Sequence, residues 1–108
     1  MKFEVTLTDE AKHDLIELHE FVAEEDSLFN ADHLLDRLET LCESLANQPQ
    51  RGHVPPELSR LGVIAFREIH FKPYRVIYAV DGRRVHIVAV VDGRRDMQSF
   101  LMRRLQRF

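Results

Sequence analysis

Hydrophobic and polar residues alternate at the start of the chain, with Phe3, Val5 and Leu7 set between Lys2, Glu4 and Thr6, the period of a strand with one buried face. The strand is short, so it is expected to pair with a longer one. At Thr8 the period changes. Thr8 offers an N-cap, Asp9 and Glu10 place carboxylates where the helix dipole favours them, and Ala11, Leu15, Leu18 and Val22 then recur at helical spacing. Lys12, Asp14, Glu17, Glu20 and Glu24 fall on other faces. The stretch EEDSLFN interrupts the pattern. Ala31, Leu34, Leu35, Leu38, Leu41, Cys42 and Leu45 then define a second apolar helix face, ending near Asn47, Pro49 and Gly52. The two helices are expected to form an antiparallel hairpin.

From Val63 onward β-branched and aromatic residues dominate, and the runs VIAFREI, YRVIYAV and VHIVAVV, separated by short polar connections, read as an antiparallel meander. Tyr74 and Tyr78 share a strand face with Val76 and Val80 and read as core aromatics. The segment GHVPPELSRLG reads as a loop crossing from helices to sheet. It is no domain boundary, because neither side buries its apolar face alone. In the tail RRDMQSFLMRRLQRF, Met97, Leu101 and Leu105 stand at i, i+4 and i+8, which predicts a short C-terminal helix with its arginines on other faces. The expected fold class is α+β: an N-terminal strand and antiparallel two-helix hairpin packed on a small, mainly antiparallel sheet, with a short C-terminal helix. At 108 residues and 44% hydrophobic content, residues 1–108 suffice for one domain and are too few for two.

Composition narrows the chemistry. No apolar run approaches the roughly 20 residues that cross a bilayer, and MKFEVTLTDEA lacks the features of a signal peptide, so a cytoplasmic protein without a membrane partner is expected. Cys42, the lone cysteine, sits among leucines in LETLCESL and reads as a buried, inert thiol. The six histidines, His13, His19, His33, His53, His70 and His86, contain no i, i+4 pair and no supporting cysteine pattern, so neither a metal site nor a cofactor is expected. His70 and His86 read as surface or packing residues rather than acid–base groups. There is no glycine-rich phosphate loop and no nucleophile elbow.

The net charge of −3 hides a polarity. Residues 1–54 set four lysines and arginines against thirteen acidic residues, a balance of −9, whereas residues 55–108 set ten arginines and Lys72 against five acidic residues, a balance of +6. The basic half is the expected working surface, facing nucleic acid or an acidic partner. Arg75 opens one strand near the point where Asp92-Gly93-Arg94-Arg95 leaves the next. A turn placed near His70 to Pro73 sets Arg67 opposite Arg75 on one sheet face. Opposed like charges destabilise a sheet, so Arg67, Arg75, Arg94 and Arg95 are read as an anion- or target-binding cluster. The alternative is that each arginine pairs with a local carboxylate, such as Glu68, Asp92 or Asp96, and braces the hairpins.

The order strand, two helices, meander and basic tail, with NQPQRG closing the second helix and FREIHFKPYRVIYAVDGRRVHIVAVVDGRRD forming the sheet, resembles the RelE/ParE toxins of type II toxin-antitoxin systems. The resemblance covers essentially the whole chain, and its most specific pieces are the REI-then-PYRVIY hairpin and the V-DGRRD strand exit. It implies a toxin that arrests growth unless a cognate antitoxin holds it in a toxin-antitoxin hetero-oligomer, the arrangement of plasmid-stabilisation systems. RelE-like members cut messenger RNA in the ribosomal decoding site, whereas ParE-like members poison DNA gyrase without evident catalysis of their own.

By matching motif, Arg75 and Arg95 take the places of the arginines that stabilise phosphate in the endonuclease type, and Arg67 falls where a basic residue also occurs. Cleavage additionally needs proton transfer or dense positive charge. RelE-like enzymes place a tyrosine, or a histidine-tyrosine pair, near the C-terminus, where this chain has Phe100 and Leu101; Lys72 is the only lysine in the sheet region. The chain therefore resembles the ParE branch more, and no catalytic residue is assigned. The alternatives are a ribosome-dependent mRNA endonuclease and a non-toxic binding module or inactive remnant. Arg75→Ala and Arg95→Ala are each expected to relieve toxicity while keeping the fold. An acidic, amphipathic antitoxin segment would lie along the arginine surface, or an antitoxin helix would enter the leucine faces of the first two helices.

Overall fold

The computed structural model describes residues 2–107, and its first elements lie where the alternation places them. β1 (Glu4–Leu7) turns Val5 and Leu7 into the core and leaves Glu4 and Thr6 exposed. α1 (Asp9–Glu25) starts on Thr8, whose Oγ1 accepts the Ala11 N–H at 3.1 Å. α2 (Leu28–Glu43) begins at Leu28 rather than Ala31, because Ser27 Oγ accepts the Asn30 N–H at 3.0 Å and caps an earlier turn. That turn adds nothing to the apolar stripe: Leu28 and Phe29 are 62% and 69% exposed. A 3-10 turn, Ser44–Ala46, ends the hairpin.

The crossing segment is not all loop. Pro55 and Pro56 start a four-residue helix, α3 (Pro56–Ser59), with Pro56 at a position where its missing N–H costs nothing. β2 (Arg67–Phe71) then begins later than the run VIAFREI indicates, since Val63 and Ile64 are exposed and Phe66 packs below the sheet. β3 (Tyr74–Asp81), β4 (Arg84–Asp92), α4 (Met97–Arg104) and a 3-10 turn (Leu105–Arg107) complete the chain.

The sheet order is β1-β4-β3-β2, with β1 parallel to β4 and the other pairs antiparallel. The short first strand thus joins the longest one, and the meander forms as its alternation predicts. One face, carrying Val76, Tyr78, Val85, Ile87 and Val90, packs on α1 and α2. The other, carrying Ile77, Val88, Ala89 and Val91, packs on Leu58 of α3 and on Met97, Phe100 and Leu101 of α4. A bulge explains how adjacent residues of β4 share a face. Ile77 pairs with Ala89 and Tyr78 with Ile87, so Val88 has no partner and the alternation shifts by one.

Tyr78 is fully buried, and its hydroxyl donates to the Pro49 carbonyl at 2.8 Å while accepting the Gly52 N–H at 3.0 Å. This pins the crossing segment to the sheet. Gly52 must be glycine there, because a Cβ would fall on the Glu68 carbonyl and the Tyr78 hydroxyl. Cys42 is buried as expected, and burial pushes its thiol up to about 12, which makes it unreactive at neutral pH.

Candidate functional site

Arg67 and Arg75 do not meet. The β2–β3 turn consists of Lys72 and Pro73 alone, joined by a cis peptide, and it pairs Phe71 with Tyr74. Arg67 therefore stands opposite Tyr78, and Arg75 opposite His70. The register differs by three residues from a turn centred on Phe71, and an odd slip moves a side chain to the other face. Arg67 lies on the helix-hairpin side, where Nη1 donates to the Gly52 carbonyl at 2.6 Å and braces the crossing segment.

Arg75 lies on the α3 and α4 side and is consumed internally. Its Nη1 and Nη2 donate to the two carboxylate oxygens of Glu57 at 2.9 and 2.7 Å, and its Nε donates to Glu68 Oε1 at 2.6 Å. The side chains of Arg75, Glu57 and Glu68 are 12%, 15% and 1% exposed. Gly93 lies against the aliphatic stem of Arg75, so a side chain there would displace it. The carboxylate-braced alternative holds for Arg75. Glu57 escaped the sequence reading because it sits in the unforeseen helix α3.

The hydrogen bonds from Arg75 hold the Glu57 carboxyl below its ordinary range, against the opposing effect of burial. Because the folded pKa is depressed, the stabilisation is complete above the unfolded value and is lost as pH falls through the folded one. Glu57→Gln is therefore expected to flatten the fall in unfolding free energy below about pH 4.5, measured by urea titration. An identical acid limb in both proteins would contradict the pairing. Asp92, lowered by its bond from Arg94, and Asp96, lowered by the Ser99 N–H, act in the same direction.

Arg94 and Arg95 follow the end of β4 and are exposed. Asp92 Oδ1 accepts the Arg94 N–H at 2.9 Å, and the Arg94 guanidinium returns to the same carboxylate at 2.6 Å. Arg95 instead lies over the Phe100 ring, 4.4 Å from its centroid, and has no ion pair among the described residues. Arg104 approaches the same ring at 4.7 Å but is mostly buried, donating twice to Asp14 at 2.7 and 2.9 Å. These bonds raise its pKa.

Three open grooves join the exposed cations into one rim. The first, about 500 Å³, is lined by His70, Lys72, Arg75 and Arg94, and the second, about 310 Å³, by Arg94 and Arg95 with Phe21 and Tyr74. The third, about 340 Å³, sets Arg95, Arg103 and Arg104 around Phe100 against Glu10, Asp14 and Glu17 of α1. Arg103, which the sequence reading did not single out, completes the rim and is exposed. Of the four expected site arginines, the structure thus brings Arg94 and Arg95 to the surface, turns Arg75 inward and sends Arg67 to the other face. A further grouping is His53, Glu68 and His70 beside Arg75, which the helical spacing test for histidines could not find.

A mixed four-stranded sheet between a helix hairpin and a C-terminal helix is the architecture of the RelE/ParE toxins. The chain superposes on a protein of the chromosomal ParDE toxin-antitoxin system of Pseudomonas aeruginosa with a TM-score of 0.71 at 15% identity, covering 84% of this chain and 96% of that one. It superposes on a chain of the Mycobacterium tuberculosis RelBE2 toxin-antitoxin complex with a TM-score of 0.64 at 20% identity, over 85% and 99%. A free Escherichia coli RelE toxin mutant gives 0.63 at 13% identity, over 97% and 99%. No curated protein sequence matches. The family model described as the ParE toxin of the type II toxin-antitoxin system, parDE, matches residues 5–97, and the chain belongs to that family.

Proposed function

We propose that this toxin inhibits DNA gyrase by contact, without chemistry of its own, and is silenced by a cognate antitoxin in a hetero-oligomer. The observation that carries this reading is the internal use of Arg75: with its guanidinium held by Glu57 and Glu68, the strand offers no free arginine to receive a scissile phosphate. The His53 and His70 rings face Glu68 at 3.0 and 3.3 Å, so both are engaged within the protein rather than poised on a substrate. What remains exposed is the rim of Arg95, Arg103 and the Asp92-bound Arg94 beside exposed Phe21, a surface suited to binding. The same rim suits an acidic antitoxin segment.

Either target places the protein in the cytoplasm, and no helix among the described residues is long and apolar enough to cross a membrane. The test is to purify the chain free of its antitoxin and assay gyrase supercoiling and translation-dependent message cleavage side by side. Loss of supercoiling with intact message is the expected result. Message cut at ribosomal codons with gyrase unaffected would replace this reading with the endonuclease one, and no response in either assay would leave a binding module.

A further inference from the structure

We propose that His53, Glu68 and His70 form a binding site for a zinc-class divalent cation. Their ligand atoms all lie within 4.8 Å of one another. The backbone places them there. His53 and Glu68 stand directly opposite in an isolated antiparallel bridge, with the His53 N–H donating to the Glu68 carbonyl at 3.2 Å and the Glu68 N–H returning to the His53 carbonyl at 2.7 Å. Facing residues of such a bridge project to the same side, and His70, two residues along β2, projects to that side as well. Two imidazoles and one carboxylate are the nitrogen and oxygen donors that zinc and its neighbours prefer, and three protein ligands leave a fourth position for water.

The separations are those of a site that closes with small motions. His53 Nε2 lies 3.0 Å from Glu68 Oε2, His70 Nε2 lies 3.3 Å from Glu68 Oε1, and the two rings meet edge to face with centroids 5.4 Å apart. Ligands at roughly 2.0–2.1 Å from a shared ion sit about 3.3 Å from each other, so His53 Nε2 against Oε2 and His70 Nε2 against Oε1 fit an ion held by both oxygens of Glu68. Only the two imidazole nitrogens need draw together. The His53 side chain is 62% exposed, with solvent around it to adjust into, while Glu68 is 1% exposed and held by Arg75.

Arg75 holds Glu68 in orientation, as a partner behind a metal ligand commonly does, through the 2.6 Å bond from Nε to Oε1. Its charge does not repel the cation outright, because Glu57 takes its other two donors. With neutral imidazoles, two carboxylates and one guanidinium leave one net negative charge beside the ion. The bound cation would clip the crossing segment to the outer edge of β2, which among the described residues meets only the His53 bridge.

The competing account is that each imidazole simply donates its Nε2–H to Glu68. Titrating the chelator-treated full chain with Zn²⁺ alone, and with Co²⁺ as a spectroscopic substitute, separates the two. One equivalent of Zn²⁺ should raise Tm, and Co²⁺ should produce the visible absorption of an ion with few, nitrogen-containing ligands. His53→Ala, at the exposed position, and His70→Ala should each weaken Zn²⁺ binding by about ten-fold or more, a loss comparable to that of a disrupted metal site. His13→Ala, which removes the exposed His13–Glu17 pair 2.8 Å apart, should leave binding unchanged. Equal Zn²⁺ affinity in wild type and His53→Ala, loss of binding in His13→Ala, or no Tm shift with Zn²⁺ would each overturn the assignment.

Discussion

Arg75→Ala is expected to lower the unfolding free energy by about 3–5 kcal/mol, the cost of removing one partner from a buried ion pair. Its guanidinium ties β3 to Glu68 on β2 and to Glu57 on α3, and only a narrow edge of the cluster meets water. Truncation leaves the 1%-exposed Glu68 carboxylate facing only the two histidines, and leaves Glu57 without a cation at that point. In a domain of this size each kcal/mol is worth about 4–8 °C of Tm, so the variant should melt at least about 12 °C earlier. Arg75→Lys should recover only part of the loss, because one ammonium cannot reproduce a fork that serves two carboxylates. A variant that melts within a few degrees of wild type would show that Arg75 is spare and available to a ligand. The motif resemblance alone led to the opposite expectation, toxicity relieved with the fold intact. Loss of toxicity in this variant would report unfolding.

Asp14→Ala should cost a similar amount, about 3–5 kcal/mol, for a related reason. Asp14 on α1 is 9% exposed and accepts two hydrogen bonds from Arg104, while its Oδ2 also accepts the Val90 N–H at 3.0 Å. Arg104 in turn donates to the Val88 carbonyl at 2.9 Å. The pair thus satisfies backbone groups at the β4 bulge and two residues beyond it, past the end of β1, and fastens α4 to α1. Removing the carboxylate strands a mostly buried guanidinium and a buried N–H together. Urea unfolding of Asp14→Ala, Arg104→Ala and the double variant measures the coupling, and the two losses should be far from additive. Additive losses would mean that the two residues act separately.

The elements that the sequence revealed are those whose apolar residues face the core at a regular period. β1, α1, the meander and α4 carry Val5 and Leu7, Ala11 and Leu15, Val76 and Tyr78, and Met97 and Leu101 inward at those positions. The misses have local causes. The first turn of α2 is helical because Ser27 caps it, yet Leu28 and Phe29 point to water, so periodicity was blind to it. Val63 and Ile64 have the composition of a strand and no strand to pair with.

The site was harder to read because its geometry depends on parity. A turn confined to Lys72 and Pro73 sets the register, and a shift of three residues sent Arg67 to the other face. Glu57 lies 18 residues before Arg75, in a short helix begun by two prolines, and no periodic signal links them. His53 reaches Glu68 through a single bridge across the crossing segment. Glu68 and His70 share a face of β2, but a turn placed near His70 hid that pairing. The charge asymmetry pointed to the arginine-rich half, and within that half the fold leaves Arg94, Arg95 and Arg103 exposed.

That rim is where the account is most exposed to test. Arg95 and Arg103 are solvent-facing, and neither has an ion pair among the described residues, so Arg95→Ala/Arg103→Ala should change stability by about 0.5 kcal/mol or less per site and keep Tm close to wild type. The decisive measurement is inhibition of gyrase supercoiling by this double variant, assayed beside the wild-type toxin at equal folded concentration. The inhibitory concentration should rise about ten-fold or more, the effect of losing an arginine contact worth about 1.4 kcal/mol or better at an interface. Full inhibitory potency in a folded double variant would contradict this reading of the rim.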